Sequence, residues 1–235
     1  MQVRNSFVLI LGLLCSCRSS LFSPLDNLGR NDEETIEEQM KVDPQKAIDK
    51  AREVLKKDPN NNKVRLLLAE ALIKKNDLSP IRRAIKKNIV DNGNSKDLLV
   101  ADVNDYEKDL DSKEALSEAI NSLQTLVSRV SGEDKKKAQF MYAETLIEQG
   151  FSVLKARCFP GGRFDRLTAQ RRLKEEDAVA VLVNFTIAKE NYTNAGKEES
   201  EKLIDKLIKK IHAAKETGSD KEKIIAFLEK EYTQK

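Results

Sequence analysis

Cysteine, histidine and carboxylate side chains are the groups in this chain that could perform covalent chemistry or bind a metal. There are three cysteines, Cys15, Cys17 and Cys158, and a single histidine, His212. His212 has no cysteine beside it in sequence and cannot build a metal site by itself. Carboxylates are abundant, but none pairs with the histidine or a cysteine in a recognisable catalytic arrangement. The residues therefore argue against an enzyme and imply neither a metal nor a cofactor.

The start of the chain has the order of a secretory signal. Arg4 gives a positive charge, and the apolar stretch of residues 7–14 is too short to span a bilayer as a helix. The stretch ends in LCSC (residues 14–17), which resembles a bacterial lipobox. The resemblance implies a signal peptide over residues 1–16 and a lipid anchor on the sulfur of Cys17. A buried apolar helix with incidental cysteines and a eukaryotic signal peptide are the alternatives.

Residues 17–32 contain serine, proline, glycine and charge without a helical period, so we predict a lipidated tether there. Residue 18 is arginine and not aspartate, so the inner-membrane retention signal usual in enterobacteria is missing, which favours the outer membrane. The predicted location is the bacterial cell envelope, facing the periplasm. With Cys15 removed and Cys17 lipidated, Cys158 would remain alone, and we expect it to be a small packed hydrophobic residue.

The charge of the chain gives no indication of a nucleic-acid partner. The formal net charge is +3, and residues of both signs are mixed along the sequence. Nucleic-acid binding is expected to leave a basic stripe. Charged residues make up 34% of the chain, with few prolines and glycines, which is typical of a helix-rich soluble protein.

Apolar residues recur with a period near 3.6 from about residue 33 onward. Pro44 suits the first turn of a helix, Pro59 a helix end, and Ser219 with Glu222 a capping pattern. AVAVLVNF (residues 178–185) looks like a strand, but helical segments flank it, so we predict a buried central helix. The sequence therefore predicts an all-α domain from residue 33 to residue 235 with about ten helices. The predicted helices span residues 33–42, 44–57, 62–76, 79–91, 96–110, 113–130, 134–157, 169–192, 197–216 and 220–233.

The segment that follows Pro44 resembles the tetratricopeptide repeat (TPR), a pair of antiparallel helices that stacks on its neighbours. KAIDKAREVLKKDPNN is similar to the second helix of such a repeat, with Ala47 and Ala51 at positions of close helix contact. NKVRLLLAEALIKKND is similar to the first helix of the next repeat, where Leu68 and Ala69 form a large-then-small pair.

A second copy of the pattern lies downstream. YAETLIEQG (142–150) lines up with LAEALIKKN (68–76), and Ala115 and Ala119 resemble Ala47 and Ala51. The resemblance implies a TPR-like array of antiparallel helix pairs, an α-solenoid. A generic helical bundle is the alternative.

In TPR proteins the first helix of each pair lines the concave side of the array, where extended peptides bind. The resemblance carries this binding groove onto Lys63, Leu66, Glu70 and Ile73 in one repeat and Lys137, Phe140, Glu144 and Ile147 in the other. Both sets run lysine, apolar, glutamate, isoleucine, a mixture that could hold a peptide by apolar contact while its charges pair with flanking groups. Alternatively, the charges are solvated and the apolar residues pack against neighbouring helices.

Residues 155–190 bear a second, weaker resemblance, to the TPR-fold lipoproteins associated with TRAP solute transporters, through FPG (159–161) and KEED (174–177). It implies an accessory component of a solute transporter with a cavity behind this segment. The turn between Arg157 and Arg166 could cradle an anion, but we expect a connection between helices, anchored by phenylalanines.

Together these patterns predict a membrane-anchored, periplasm-facing lipoprotein that acts as a protein- or peptide-binding scaffold through a TPR-like groove. The accessory component of a TRAP-type transporter is the alternative.

Overall fold

The computed structural model describes residues 31–76 and 110–233, and within these two ranges the fold is all-α, with nine α-helices and no strand. The helices are α1 (Asp32–Val42), α2 (Pro44–Lys57), α3 (Asn62–Lys75), α4 (Leu110–Arg129), α5 (Gly132–Cys158), α6 (Arg166–Arg172), α7 (Glu175–Asn194), α8 (Glu198–Ala214) and α9 (Asp220–Thr233). The predicted helix 79–91, the predicted helix 96–110 except for its last residue, the signal peptide 1–16 and Cys17 lie outside the described residues.

Side-chain caps set the helix starts where the sequence signals predicted them. Asp43 accepts a hydrogen bond from the Gln45 amide at 3.1 Å, and Pro44 occupies the first turn of α2, where a missing N–H costs nothing. At the start of α9 the Glu222 amide donates to the Ser219 hydroxyl, and the Glu222 carboxylate accepts from the Ser219 amide. These reciprocal bonds confirm the predicted capping pattern.

The predicted single helix over residues 169–192 is two helices in the structure, α6 and α7. The chain is extended at Leu173, which is fully buried, so the side chain enters the core at the break. Asp177 then accepts a hydrogen bond from the Lys174 amide at 3.3 Å and starts α7. The strand-like run AVAVLVNF is helical, as predicted, but Val179 and Val183 point to solvent because only one face of α7 packs on α5.

Each long helix packs on the next along the chain, so α1 to α5 and then α7 to α9 form a continuous array. The short α6 lies outside this order and contacts α5 and α9. Helix α1 also touches α3, and α7 touches α9. The all-α array predicted from the sequence is confirmed for the described residues.

Small side chains form the core of the first half of the array. Ala47 and Ala51 on α2 share one buried cluster with Ala115 and Ala119 on α4. An ion pair between Arg52 on α2 and Glu118 on α4, with Nε and Oε1 3.0 Å apart, closes the edge of this cluster. The hydrogen bond to Glu118 raises the pKa of the Arg52 guanidinium. Alanines let helix backbones approach closely, which agrees with the predicted contact positions.

Aromatic rings fill the core of the second half. The Phe151 and Phe185 rings lie between α5 and α7, with centroids 5.2 Å apart. Gly150 makes room for them, since a Cβ atom there would lie 2.6 Å from the Phe185 ring. The turn after α5 is anchored by Phe159, whose ring packs edge-on against Tyr232 of α9 at 5.1 Å.

Candidate functional site

The N-terminal end of α3 presents the first residues of the predicted groove. The Asn61 side chain accepts a hydrogen bond from the Val64 amide at 3.0 Å and fixes the start of the helix. Lys63 lies 60% exposed, with its Nζ 2.6 Å from a carboxylate oxygen of Glu33 on α1. The hydrogen bond to Glu33 raises the pKa of the Lys63 ammonium, which keeps it charged at neutral pH. Leu66 is half-buried one turn further on.

An ion pair joins the two helices that carry the predicted groove. Lys137, near the start of α5, contacts the carboxylate of Glu70 on α3. The lysine side chain is about half exposed and the glutamate is mostly covered. The structure therefore brings the Glu70 and Lys137 side chains together across the space between α3 and α5.

A cleft of about 240 Å³ opens beside this ion pair, between α3 and the junction of α4 with α5. Its apolar lining is formed by Leu66, Leu67, Leu126, Val130 and Ala138, and its polar lining by Glu37, Asn62, Lys63, Asp134 and Lys137. Two acidic and two basic side chains therefore surround an apolar floor.

Asn62 adds a polar group to this lining. Its side-chain Oδ1 is buried and receives no hydrogen bond from the described residues.

The remaining predicted groove residues lie elsewhere. Ile73 is half-buried against both core clusters. Ile147 is fully buried, and Glu144 is 9% exposed and accepts a hydrogen bond from the Tyr192 hydroxyl at 2.8 Å. Both positions are covered because α7 packs along this part of α5. The open part of the surface is consequently limited to the N-terminal ends of α3 and α5.

Phe140 stands at the boundary between the open and covered parts. Its ring lies 5.9 Å from that of Tyr192, and the Lys197 ammonium is 5.3 Å from its ring centroid. The Lys197 ammonium and the Tyr192 ring thus both contact Phe140. The side chain therefore packs within the fold instead of lining the cleft.

The sequence does not predict several of the residues that line the cleft, among them Asn62, Leu126, Val130 and Asp134. Leu126 lies in the last turn of α4, and Val130 follows the helix directly and donates its amide to the Leu126 carbonyl at 3.0 Å. Their apolar character does not tell which helix they meet. Asn62 carries no helical apolar signal at all, so only the packed structure places it in the cleft.

Cysteine, histidine and carboxylate side chains form no metal-binding cluster among the described residues. Cys158 is fully buried, and burial raises the pKa of its thiol to about 12, so it stays protonated and unreactive. His212 lies exposed on α8. Within residues 31–76 and 110–233 no cluster of three or more histidine, cysteine or acidic residues could hold a metal ion, and no helix there has the length and apolarity needed to cross a membrane.

The turn between Arg157 and Arg166 connects two helices, as expected. Phe159 and Phe164 pack together beneath it, with centroids 5.7 Å apart. Arg157 pairs with Asp177 at 3.2 Å and Arg166 with Glu229 at 2.8 Å. These ion pairs tie the turn to α7 and α9.

Comparison with known proteins adds no further assignment to the cleft. No protein-family model matches the chain, and neither a curated protein nor a solved structure does.

Proposed function

We propose that this protein is a lipid-anchored scaffold of the bacterial cell envelope that binds a protein or peptide segment through the cleft between α3 and α5. One observation carries the binding proposal. Lys63, Leu66 and Lys137, taken from two separate sequence segments, line the same cleft. The Glu70–Lys137 ion pair links the two helices beside the cleft.

The size of the cleft favours part of an extended chain over a whole small molecule. Pockets for small ligands usually measure about 300–1,000 Å³, whereas this cleft measures about 240 Å³. One or two apolar side chains of a peptide fit such a volume. Its floor of Leu66, Leu126 and Val130 would bury them.

The charges around the cleft suggest the flanking residues of the partner. Glu37 and Asp134 would pair with basic groups, and acidic groups of the partner would compete with Glu33 and Glu70 for Lys63 and Lys137. Rim charges contribute mainly to orientation and association rate. The partner segment therefore combines an apolar anchor with neighbouring charges of both signs.

The anchor part of the proposal depends on Cys17. Its lipid would attach the chain to a membrane, with the outer membrane favoured, and residues 17–32 would hold the helical array in the periplasm. Globomycin should leave an unprocessed precursor, and the Cys17→Ala variant should lose palmitate labelling. Labelling that persists in this variant would contradict the anchor.

Selection of peptides tests the cleft. The full chain is used to select binders from a phage-displayed library of random peptides, and their affinities are measured by fluorescence anisotropy. The Lys63→Ala/Lys137→Ala variant should weaken selected peptides about tenfold, because two rim charges are lost. Lys56→Ala/Lys136→Ala removes two exposed lysines outside the cleft and serves as the matched control. Equal affinities for both double variants would refute the assignment of the cleft.

A further inference from the structure

Positive charge is concentrated in one short segment of the described chain. Residues 155–174 contain seven basic side chains and one acidic side chain, Asp165, which gives this segment a net charge of +6. Because the whole chain carries only +3, all other residues together are net negative. The sequence as a whole is mixed in charge, so this concentration is visible only locally.

Three of these basic side chains form no salt bridge within the described part of the chain. Arg157, Arg166 and Lys174 pair with carboxylates of α7 and α9, and Lys155 is buried. Arg163, Arg171 and Arg172 are exposed and form no ion pair with the described residues. Of the acids nearby, Asp165 caps α6 by accepting from the Thr168 amide at 2.6 Å, and this bond, with the charge of Arg171, lowers the pKa of its carboxyl. Glu175 accepts from the Asp220 amide at 2.9 Å, and Glu176 pairs with Lys174.

An apolar side chain lies among these arginines. Leu167 is 62% exposed, which is high for a leucine in this fold. Leu167 and Arg171 are four residues apart and share the face of α6 opposite the buried Ala169. We refer to Arg163, Leu167, Arg171 and Arg172 as the α6 patch.

The backbone that carries the α6 patch is held firmly. Phe159 before it and Leu173 after it are buried in the core. Lys221 of α9 donates a hydrogen bond to the Gln170 carbonyl at 2.7 Å. The α6 patch therefore presents its side chains without ordering a loop on binding, which lowers the entropy cost of association.

We propose that the α6 patch docks on a membrane surface that contains anionic phospholipids. Guanidinium groups form paired hydrogen bonds with phosphate, and basic residues near an anionic bilayer are attracted to it. Leu167 would enter the boundary between headgroups and acyl chains, where an apolar side chain is favourable. A dissolved polyanion offers the same phosphate chemistry but no apolar layer for Leu167.

This inference rests on the proposed function for one point, that the tether keeps the chain beside a membrane. Three arginines and one leucine bind a bilayer weakly alone, but a tether raises the local concentration and makes the second contact effective. Contacts through both the lipid and the α6 patch would fix the orientation of the helical array, and with it the direction in which the cleft faces.

Vesicle binding of the full-length Cys17→Ala chain tests the α6 patch without the lipid anchor. Affinity is measured by sedimentation with phosphatidylcholine vesicles, with and without phosphatidylglycerol. The Arg163→Gln/Arg171→Gln/Arg172→Gln variant should bind the anionic vesicles on the order of 100-fold more weakly, since three cations are lost. Leu167→Ser should weaken binding about tenfold. The apolar N-terminal stretch is common to all variants, so their differences measure the patch.

The matched control is Lys41→Gln/Lys56→Gln/Lys206→Gln, which removes the same charge from exposed positions on α1, α2 and α8. It should change anionic-vesicle affinity by no more than about twofold if binding is local to the patch. Equal losses in both triple variants, or no loss in either, would overturn the proposal. Patch-dependent binding of single-stranded DNA without vesicle binding would also overturn it and assign the patch to a dissolved polyanion. Palmitate labelling and peptide affinity report on the proposed function separately, because the patch variants leave Cys17 and the cleft unchanged.

Discussion

Helices α3 and α5 carry the same four-residue pattern but place it in different surroundings. On α3, Glu70 is partly exposed and pairs with Lys137, and Ile73 is half-buried. On α5, the equivalent Glu144 is buried beneath the Tyr192 hydroxyl, and Ile147 is fully buried. The difference arises because α7 packs along α5. A repeated pattern in sequence therefore defines which residues share a face, whereas the neighbouring helix decides whether that face is open.

The two halves of the core also differ in the kind of side chain that fills them. The cluster around α2 contains aliphatic residues and alanines, with Ala47 and Ala51 completely buried. The cluster around α5 and α7 contains Phe151, Phe185 and Tyr192. Close alanine contacts leave little freedom in helix spacing, so they leave a regular signature in the sequence. Many different sequences can form an aromatic core, so aromatic packing leaves no regular signature in the sequence.

The largest expected effect separates the two isoleucines of the pattern. Ile147→Ala should lower the free energy of unfolding by about 2–5 kcal/mol, because it removes a fully buried side chain and leaves a cavity. Ile73→Ala, its matched control on α3, should cost less than half as much because Ile73 is already partly exposed. Urea denaturation of both variants measures the difference. Equal costs would mean that α3 is covered as deeply as α5.

Overpacking at the alanines should have the next largest effect. Ala51→Leu and Ala69→Leu place larger side chains at positions with no exposed surface, and each should cost about 1–3 kcal/mol. Ala213→Leu, on an exposed part of α8, is the control and should leave the melting temperature nearly unchanged. Neutral behaviour of the two buried variants would refute the close packing of α2 and α3.

The hydrogen bond between Tyr192 and the buried Glu144 should have a smaller effect on stability. Tyr192→Phe removes the hydrogen bond to Glu144 and should cost about 1–3 kcal/mol, because a buried acceptor loses a donor. Tyr142→Phe on α5 is the control, since its hydroxyl makes no hydrogen bond to the described residues. Burial raises the pKa of Tyr142, which agrees with a covered hydroxyl of this kind. Equal destabilisation by both substitutions would argue that the hydroxyl of Tyr192 contributes nothing specific.

The smallest effect is expected at the open end of the pattern. Lys63→Ala and Glu70→Ala should each shift the melting temperature by less than about 2 °C, because surface ion pairs contribute little to stability. The same substitutions should weaken peptides selected on the cleft. Thermal melts and anisotropy measured on the same samples distinguish the two roles. Unfolding caused by either substitution would show that the cleft is structural and not a binding surface.

Local signals in the sequence predict a helix start correctly when that start depends only on neighbouring residues. Pro44 predicts the start of α2, and Ser219 with Glu222 predicts the start of α9, because these signals depend only on residues a few positions apart. The break at Leu173 was missed, because that residue is apolar and continues the helical period. Its extended backbone is explained by burial against other helices, which no local pattern records.

The sequence by itself determined the helical class, most helix boundaries and the alanine positions of the first half, since these follow from period, caps and side-chain size. Tertiary structure alone decided that Glu144 and Ile147 are covered, that Asn62 and Leu126 line the cleft, and that Leu167 and Arg171 lie on an exposed face of α6. Each of these outcomes depends on which helix lies beside which. That choice is made by packing between residues far apart in the chain, and a one-dimensional period carries no information about it.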